Sequence, residues 1–116
     1  MPEVAVTVAQ AIEQLSLTVW ASPEQPETPV AGALVGDLLS YIMAHGKRGQ
    51  LWITIQTHPN VVAVATLAGL SGVILAGGFE PAEETTARAE EEGVALLGSA
   101  DSAFTLAGKL YELGVR

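Results

Sequence analysis

The chain has 116 residues, 49% of them hydrophobic, which suits one small domain (residues 1–116) with a single core and is too short for two. The net charge is −8 and the five basic residues are scattered, which argues against nucleic-acid binding because that needs clustered Lys and Arg. The absence of cysteine excludes disulfides and thiol chemistry. With only two histidines, His45 and His58, we expect neither a metal site nor a cofactor.

The longest charge-free apolar window, residues 61–79, is nominally long enough to span a bilayer. Glycines interrupt this window, however, and its second half is typical of a short strand. The N-terminus shows no basic region followed by an apolar stretch, so no secretory signal is predicted. We therefore expect a cytoplasmic protein with no membrane association.

The first half of the chain mixes short apolar segments with one proline-rich loop. Thr7 is a plausible N-cap for an amphipathic helix, and Asp37 is another for the helix that follows the second strand. Asp37 could also serve as a general acid or base, although no second carboxylate or histidine is tied to it by spacing. In chain order the predicted elements are a helix at 8–15, a strand at 17–20, a loop at 21–29, a strand at 30–35 and a helix at 38–44.

Residues 51–79 contain no Asp, Glu, Lys or Arg and read as a strand, a turn, a helix and a second strand. A continuous apolar run is typical of a strand buried on both faces, and a crossover helix connects parallel neighbours. We predict an α/β fold, a single three-layer domain with a mostly parallel central sheet flanked by helices. The elements from here on are a strand at 51–56, helix 61–70, strand 73–78, helix 81–92 and strand 94–97.

The last helix is predicted to begin after a cap at Ser99 or Asp101. Its expected buried stripe comprises Phe104, Ala107, Leu110 and Tyr111. The large aromatic side chains Trp20, Trp52, Phe79 and Phe104 are predicted mostly to lie in the core.

Two turns are candidates for a binding site, because ligands of open parallel sheets bind at the carboxyl ends of strands. The first turn offers Gln56, Thr57, His58 and Asn60, and the second offers Gly77 and Gly78. We expect both turns at the same end of the sheet, where free backbone N–H groups could hold an anion. The alternative is that the first turn only caps its helix and the glycines only serve turn geometry.

These residues give the chain a resemblance to the DRTGG domain family over roughly residues 6–114. The resemblance is clearest in Gly36-Asp37-Leu38-Leu39-Ser40, in residues 51–78 and in the tail at 104–114. The family takes its name from one loop with Gly-Asp-Arg and another with Thr-Gly-Gly. Ala76-Gly77-Gly78 corresponds to the second loop, whereas Gln56-Thr57-His58 replaces the charged residues of the first.

The resemblance implies a regulatory and dimerising role, as in DRTGG domains beside CBS domains of regulatory pyrophosphatases and in some phosphotransacetylases. The chain looks more like stand-alone members, some of which are encoded near iron-only hydrogenases. We expect a non-catalytic homodimer that binds a partner protein, such as one from a redox complex, or a nucleotide or other small anion. The alternatives are a ligand-free structural subunit of a redox complex and an enzyme acting on a phosphorylated metabolite.

Overall fold

A computed structural model describes residues 5–116, with five helices and five strands in these residues. The elements are α1 (Val8–Gln14), β1 (Thr18–Ala21), β2 (Gly32–Val35), α2 (Leu39–His45), β3 (Gln50–Thr54), α3 (Asn60–Ala68), β4 (Gly72–Leu75), α4 (Glu83–Glu92), β5 (Ala95–Gly98) and α5 (Ala103–Leu113).

The strands form one sheet in the order β1-β5-β4-β3-β2. The strands β2, β3, β4 and β5 are parallel, and only β1 runs antiparallel, at the edge beside β5. The parallel pairs are joined through helices, as crossover connections require. The predicted three-layer fold with a mostly parallel sheet is therefore confirmed.

The two faces of the sheet carry separate hydrophobic cores. One face is covered by α1 and α5, which bring Val8 and Leu106 against strand residues such as Ile53. The other face is covered by α2, α3 and α4, where Val61 packs in the same cluster as Trp52. Because side chains alternate along a strand, β3, β4 and β5 contribute to both cores, which explains their continuous apolar sequences.

The edge strand β1 contains an irregularity at Trp20, because the pairing with β5 shifts register between Val19 and Ala21. The indole lies over Gly98, where an added Cβ would come within 2.6 Å of Trp20 Nε1. Trp20 as a whole is only partly buried, whereas Trp52 is fully buried as predicted.

The predicted buried stripe of the last helix is wrong for its two aromatic residues. Phe104 is 89% exposed and Tyr111 is 61% exposed, whereas Leu106 and Leu110 are buried. The helix buries Leu106 and Leu110 in the core that it forms with α1 and the sheet, and this packing leaves Phe104 and Tyr111 on the outer face.

Other predicted details also change. The N-cap of α5 is Ser102, whose hydroxyl accepts from the Thr105 N–H, and not Ser99 or Asp101. Phe79 is exposed because it lies in the loop after β4 and not in a strand. Thr7 caps α1 as predicted, through a reciprocal capping box with Gln10. Across residues 5–116, no helix combines the length and apolar composition that a bilayer crossing requires.

The orientation of α5 and α3 can be tested by replacing one leucine in each helix with alanine. Leu106→Ala should lower the free energy of unfolding by about 2–5 kcal/mol, because it opens a cavity in the α1/α5 core. Leu67→Ala should change it by less than about 0.5 kcal/mol, because Leu67 is 74% exposed. Urea denaturation measures both, and equal losses for the two variants would contradict the packing described.

Candidate functional site at the carboxyl edge of the sheet

Four loops meet at the edge of the sheet where the parallel strands end. The loops follow β2, β3, β4 and β5, and the register that aligns Thr54 with Leu75 places the ends of β3 and β4 side by side. The two predicted turns, Gln56 to Asn60 and Gly77-Gly78, therefore lie on neighbouring loops at the same edge. We call this row of four loops the carboxyl rim.

Asp37 connects the first two loops of the carboxyl rim. Its Oδ1 accepts from the Thr54 hydroxyl at 2.8 Å and from the Ile55 N–H at 2.9 Å. The Asp37 carbonyl accepts from the Gln56 side-chain amide at 3.0 Å. The prediction that Asp37 caps α2 is thus wrong: that helix has Leu38 as its N-cap, without a side-chain hydrogen bond.

His58 and Asn60 form a local turn at the start of α3. The Asn60 N–H donates to His58 Nδ1 at 3.0 Å, so a neutral His58 ring carries its proton on Nε2. The Val61 N–H donates to the His58 carbonyl at 3.0 Å. His58 therefore satisfies part of the first turn of α3, which is the helix-capping alternative that the sequence leaves open.

Thr57 connects the loop after β3 to helix α4. Its carbonyl accepts from the hydroxyl of Thr85 at 2.6 Å, and Thr85 is fully buried. The Ala82 N–H approaches the same carbonyl at 3.4 Å. The conformation of this loop is consequently tied to the position of α4.

The glycines of the second turn bind the loop after β5. Gly77 and Gly78 have φ values of +71° and +78°, in the left-handed region that favours glycine. The Gly77 N–H donates to the Asp101 carbonyl at 2.7 Å, and the Gly78 N–H donates to the Ser99 carbonyl at 2.8 Å. The expectation that these two N–H groups are free for an anion is therefore wrong.

The outer surface of the carboxyl rim is more apolar than the sequence suggests. Its exposed hydrophobic side chains are Val35 (50%), Leu38 (67%), Ile55 (45%) and Phe79 (51%). The ammonium group of Lys109 lies at the β5 end of the rim, where its Nζ is 2.7 Å from Asp101 Oδ2. Within residues 5–116, no group of three or more His, Asp or Glu residues could hold a metal ion.

Several residues hold the loops of the carboxyl rim together in a role that was not predicted, namely Asp37, Thr54, Thr85, Ser99 and Asp101. Thr54 carries a signal in the sequence, since it is the polar residue of an otherwise apolar run at 51–55, and the structure buries it. A threonine at the end of an apolar strand needs a hydrogen-bond partner when it is buried, and Thr54 finds one in the Asp37 carboxylate of the neighbouring loop. The carbonyl acceptors of Ser99 and Asp101 leave no such signal, because every residue has a carbonyl.

A separate groove of about 350 Å³ lies at the opposite, amino edge of the parallel strands. Arg48 packs over Gly69 on one side, and Glu24 packs over Gly93 on the other. Both glycines are left-handed C-caps, of α3 and α4 respectively. None of the predicted site residues lines this groove.

Comparison with known proteins agrees with this architecture. The sequence profile of the DRTGG domain matches residues 12–113, so the chain belongs to the DRTGG domain family. No curated protein sequence matches it.

Among solved structures, the chain is similar to the CBS and DRTGG domains of the regulatory region of Clostridium perfringens pyrophosphatase, in complex with its activator diadenosine tetraphosphate. The TM-score is 0.76 at 16% sequence identity, over 90% of this chain and 46% of the other. The chain therefore spans less than half the length of that regulatory region.

The hydrogen bonds by which the Asp37 carboxylate joins the loop after β2 to the end of β3 can be tested by substitution. Asp37→Ala should lower the free energy of unfolding by about 1–3 kcal/mol, because the buried Thr54 hydroxyl and the Ile55 N–H lose their acceptor. Asp37→Asn keeps an oxygen in this position and should lose less. Hydrogen exchange at the Ile55 amide should accelerate in the alanine variant, and unchanged exchange would contradict the connection.

Proposed function

We propose that this protein is a non-catalytic regulatory module that acts as a homodimer and binds a partner protein through the carboxyl rim. The observation that carries the proposal is the combination of internally bonded loops with exposed apolar side chains. Leu38, Ile55 and Phe79 project from these loops, and Val35 projects from the last position of β2. A surface that is ordered before binding loses little conformational entropy on association, and exposed aromatic side chains are frequent interface anchors.

The electrostatics support a protein partner over a highly charged ligand. The protein carries a net charge of −8, which disfavours the approach of a polyanion. The amides of Asn60, Gly77 and Gly78 already have acceptors within the protein. Among the basic side chains of this edge, His58 and Lys109 are the ones that could contact an anion.

Nucleotide binding is the second candidate, because the similar pyrophosphatase regulatory region was crystallised with diadenosine tetraphosphate. A neutral His58 would offer an Nε2–H donor to a phosphate oxygen. Lys109 would have to exchange part of its contact with Asp101 for the ligand. Both candidates use the same edge of the molecule. Titration of the purified protein with nucleotides distinguishes them, because only the nucleotide candidate predicts binding without a partner protein.

A redox complex of the hydrogenase type is the partner class that the family resemblance suggests. The chain has no cysteine and cannot supply thiolate ligands to an iron–sulfur cluster. Its contribution to such a complex would therefore be docking or regulation, with the electron-transfer groups held by the partner.

Partner binding can be tested with Ile55→Ser and Phe79→Ser. The matched control is Met43→Ser, because Met43 on α2 is 44% exposed and Ile55 is 45% exposed. In quantitative pull-downs from cells that make the protein, at least one partner should be retained by the wild type and the control and lost with the two rim variants. Equal recovery with all four proteins would show that the carboxyl rim is not the binding surface.

Calorimetric titration tests the nucleotide candidate with diadenosine tetraphosphate and ATP. If the carboxyl rim binds proteins and not nucleotides, neither nucleotide should bind with a dissociation constant below about 1 mM. That limit corresponds to a binding free energy of roughly −4 kcal/mol. Saturable binding by the wild type that weakens in His58→Ala would establish the nucleotide candidate instead. Hydrogen exchange of the variant should confirm that α3 remains folded.

A further inference from the structure

Helix α5 exposes an aromatic stripe on its outer face. Phe104, Gly108 and Tyr111 follow one another at spacings of four and three residues, so they lie along one side of the helix. Phe104 is 89% exposed, the highest value among the large hydrophobic residues described, and Tyr111 is 61% exposed. We call these three residues the α5 stripe.

Gly108 makes a notch in the middle of the α5 stripe. A Cβ added at this position would have nothing within 4 Å, so packing inside the protomer does not require glycine. Glycine in an exposed helix interior is less stable than alanine, and here no left-handed conformation calls for it. The absence of a side chain instead lets another helix approach the α5 backbone closely.

The charge distribution favours a second copy of the chain as the occupant. Residues 101–116 carry two acidic and two basic side chains, whereas residues 1–100 carry eleven acidic and three basic ones. The whole net charge of −8 therefore lies outside the α5 segment. Two copies repel one another least when they meet through this neutral segment, because like charges on their other surfaces stay apart.

We propose that the α5 stripe is the homodimer interface, with the two α5 helices crossing antiparallel at Gly108. A two-fold axis at the notch would place Phe104 of each protomer next to the partner's Tyr111, since the contacts of a two-fold interface are reciprocal. Arg116 already stacks on the Tyr111 ring at 3.8 Å and would border the aromatic cluster. The proposal rests on the homodimer of the proposed function and specifies its surface.

The test is sedimentation velocity over a concentration series with Phe104→Glu and Gly108→Leu. Both should raise the dimer dissociation constant at least about tenfold, the first by placing two carboxylates at the interface and the second by filling the notch. Leu67→Glu is the control, because Leu67 is 74% exposed on α3, across the sheet from α5. This control should leave the dissociation constant unchanged.

Gly108→Ala distinguishes an interface from a fault in folding, because its two expected effects are opposite. It should raise the unfolding temperature of dilute, monomeric protein and weaken the dimer. A dimeric wild type whose association is unaffected by all three α5 variants would overturn the α5 stripe while leaving the homodimer intact. A wild type that is monomeric throughout the series would overturn both, and partner binding at the carboxyl rim would be judged separately by the Ile55 and Phe79 variants.

Discussion

The burial of β3, β4 and β5 on both faces is the constraint on which the rest of this structure depends. Strands covered on both sides need helices on both sides, and parallel neighbours need crossover connections. Five strands in the order β1-β5-β4-β3-β2 satisfy both requirements within 116 residues. The consequence for function is geometric, because every parallel strand ends at the same edge and delivers its loop there.

Those loops are held by hydrogen bonds to one another and to α4. Asp37 holds the end of β3, Thr57 is held by Thr85, and Gly77-Gly78 are held by the loop after β5. The hydrogen bonds make the carboxyl rim a continuous unit and occupy the amides of Asn60, Gly77 and Gly78. An ordered surface with exposed apolar side chains is better suited to a protein than to a phosphate group.

The sequence was sufficient for the architecture and for the meeting of the two site turns, because long apolar runs and turn residues are strong local signals. It was insufficient where the answer depends on tertiary contacts. The rotation of α5 illustrates this, since the stripes through Phe104 and through Leu106 are both helical and only the packing against α1 and the sheet decides between them. Asp37 shows the same limit, because a cap and a contact to the next strand look alike in sequence.

The loop after β4 is joined to the loop after β5 by two backbone hydrogen bonds, from Gly77 to Asp101 and from Gly78 to Ser99. The acceptors are backbone carbonyls, so these two bonds do not depend on which side chains occupy positions 99 and 101. The glycines cannot diverge as freely, because of their left-handed backbones. Such a framework accommodates a change of binding partner through surface substitutions alone. It is consistent with a fold that this chain shares with the pyrophosphatase regulatory region at only 16% sequence identity.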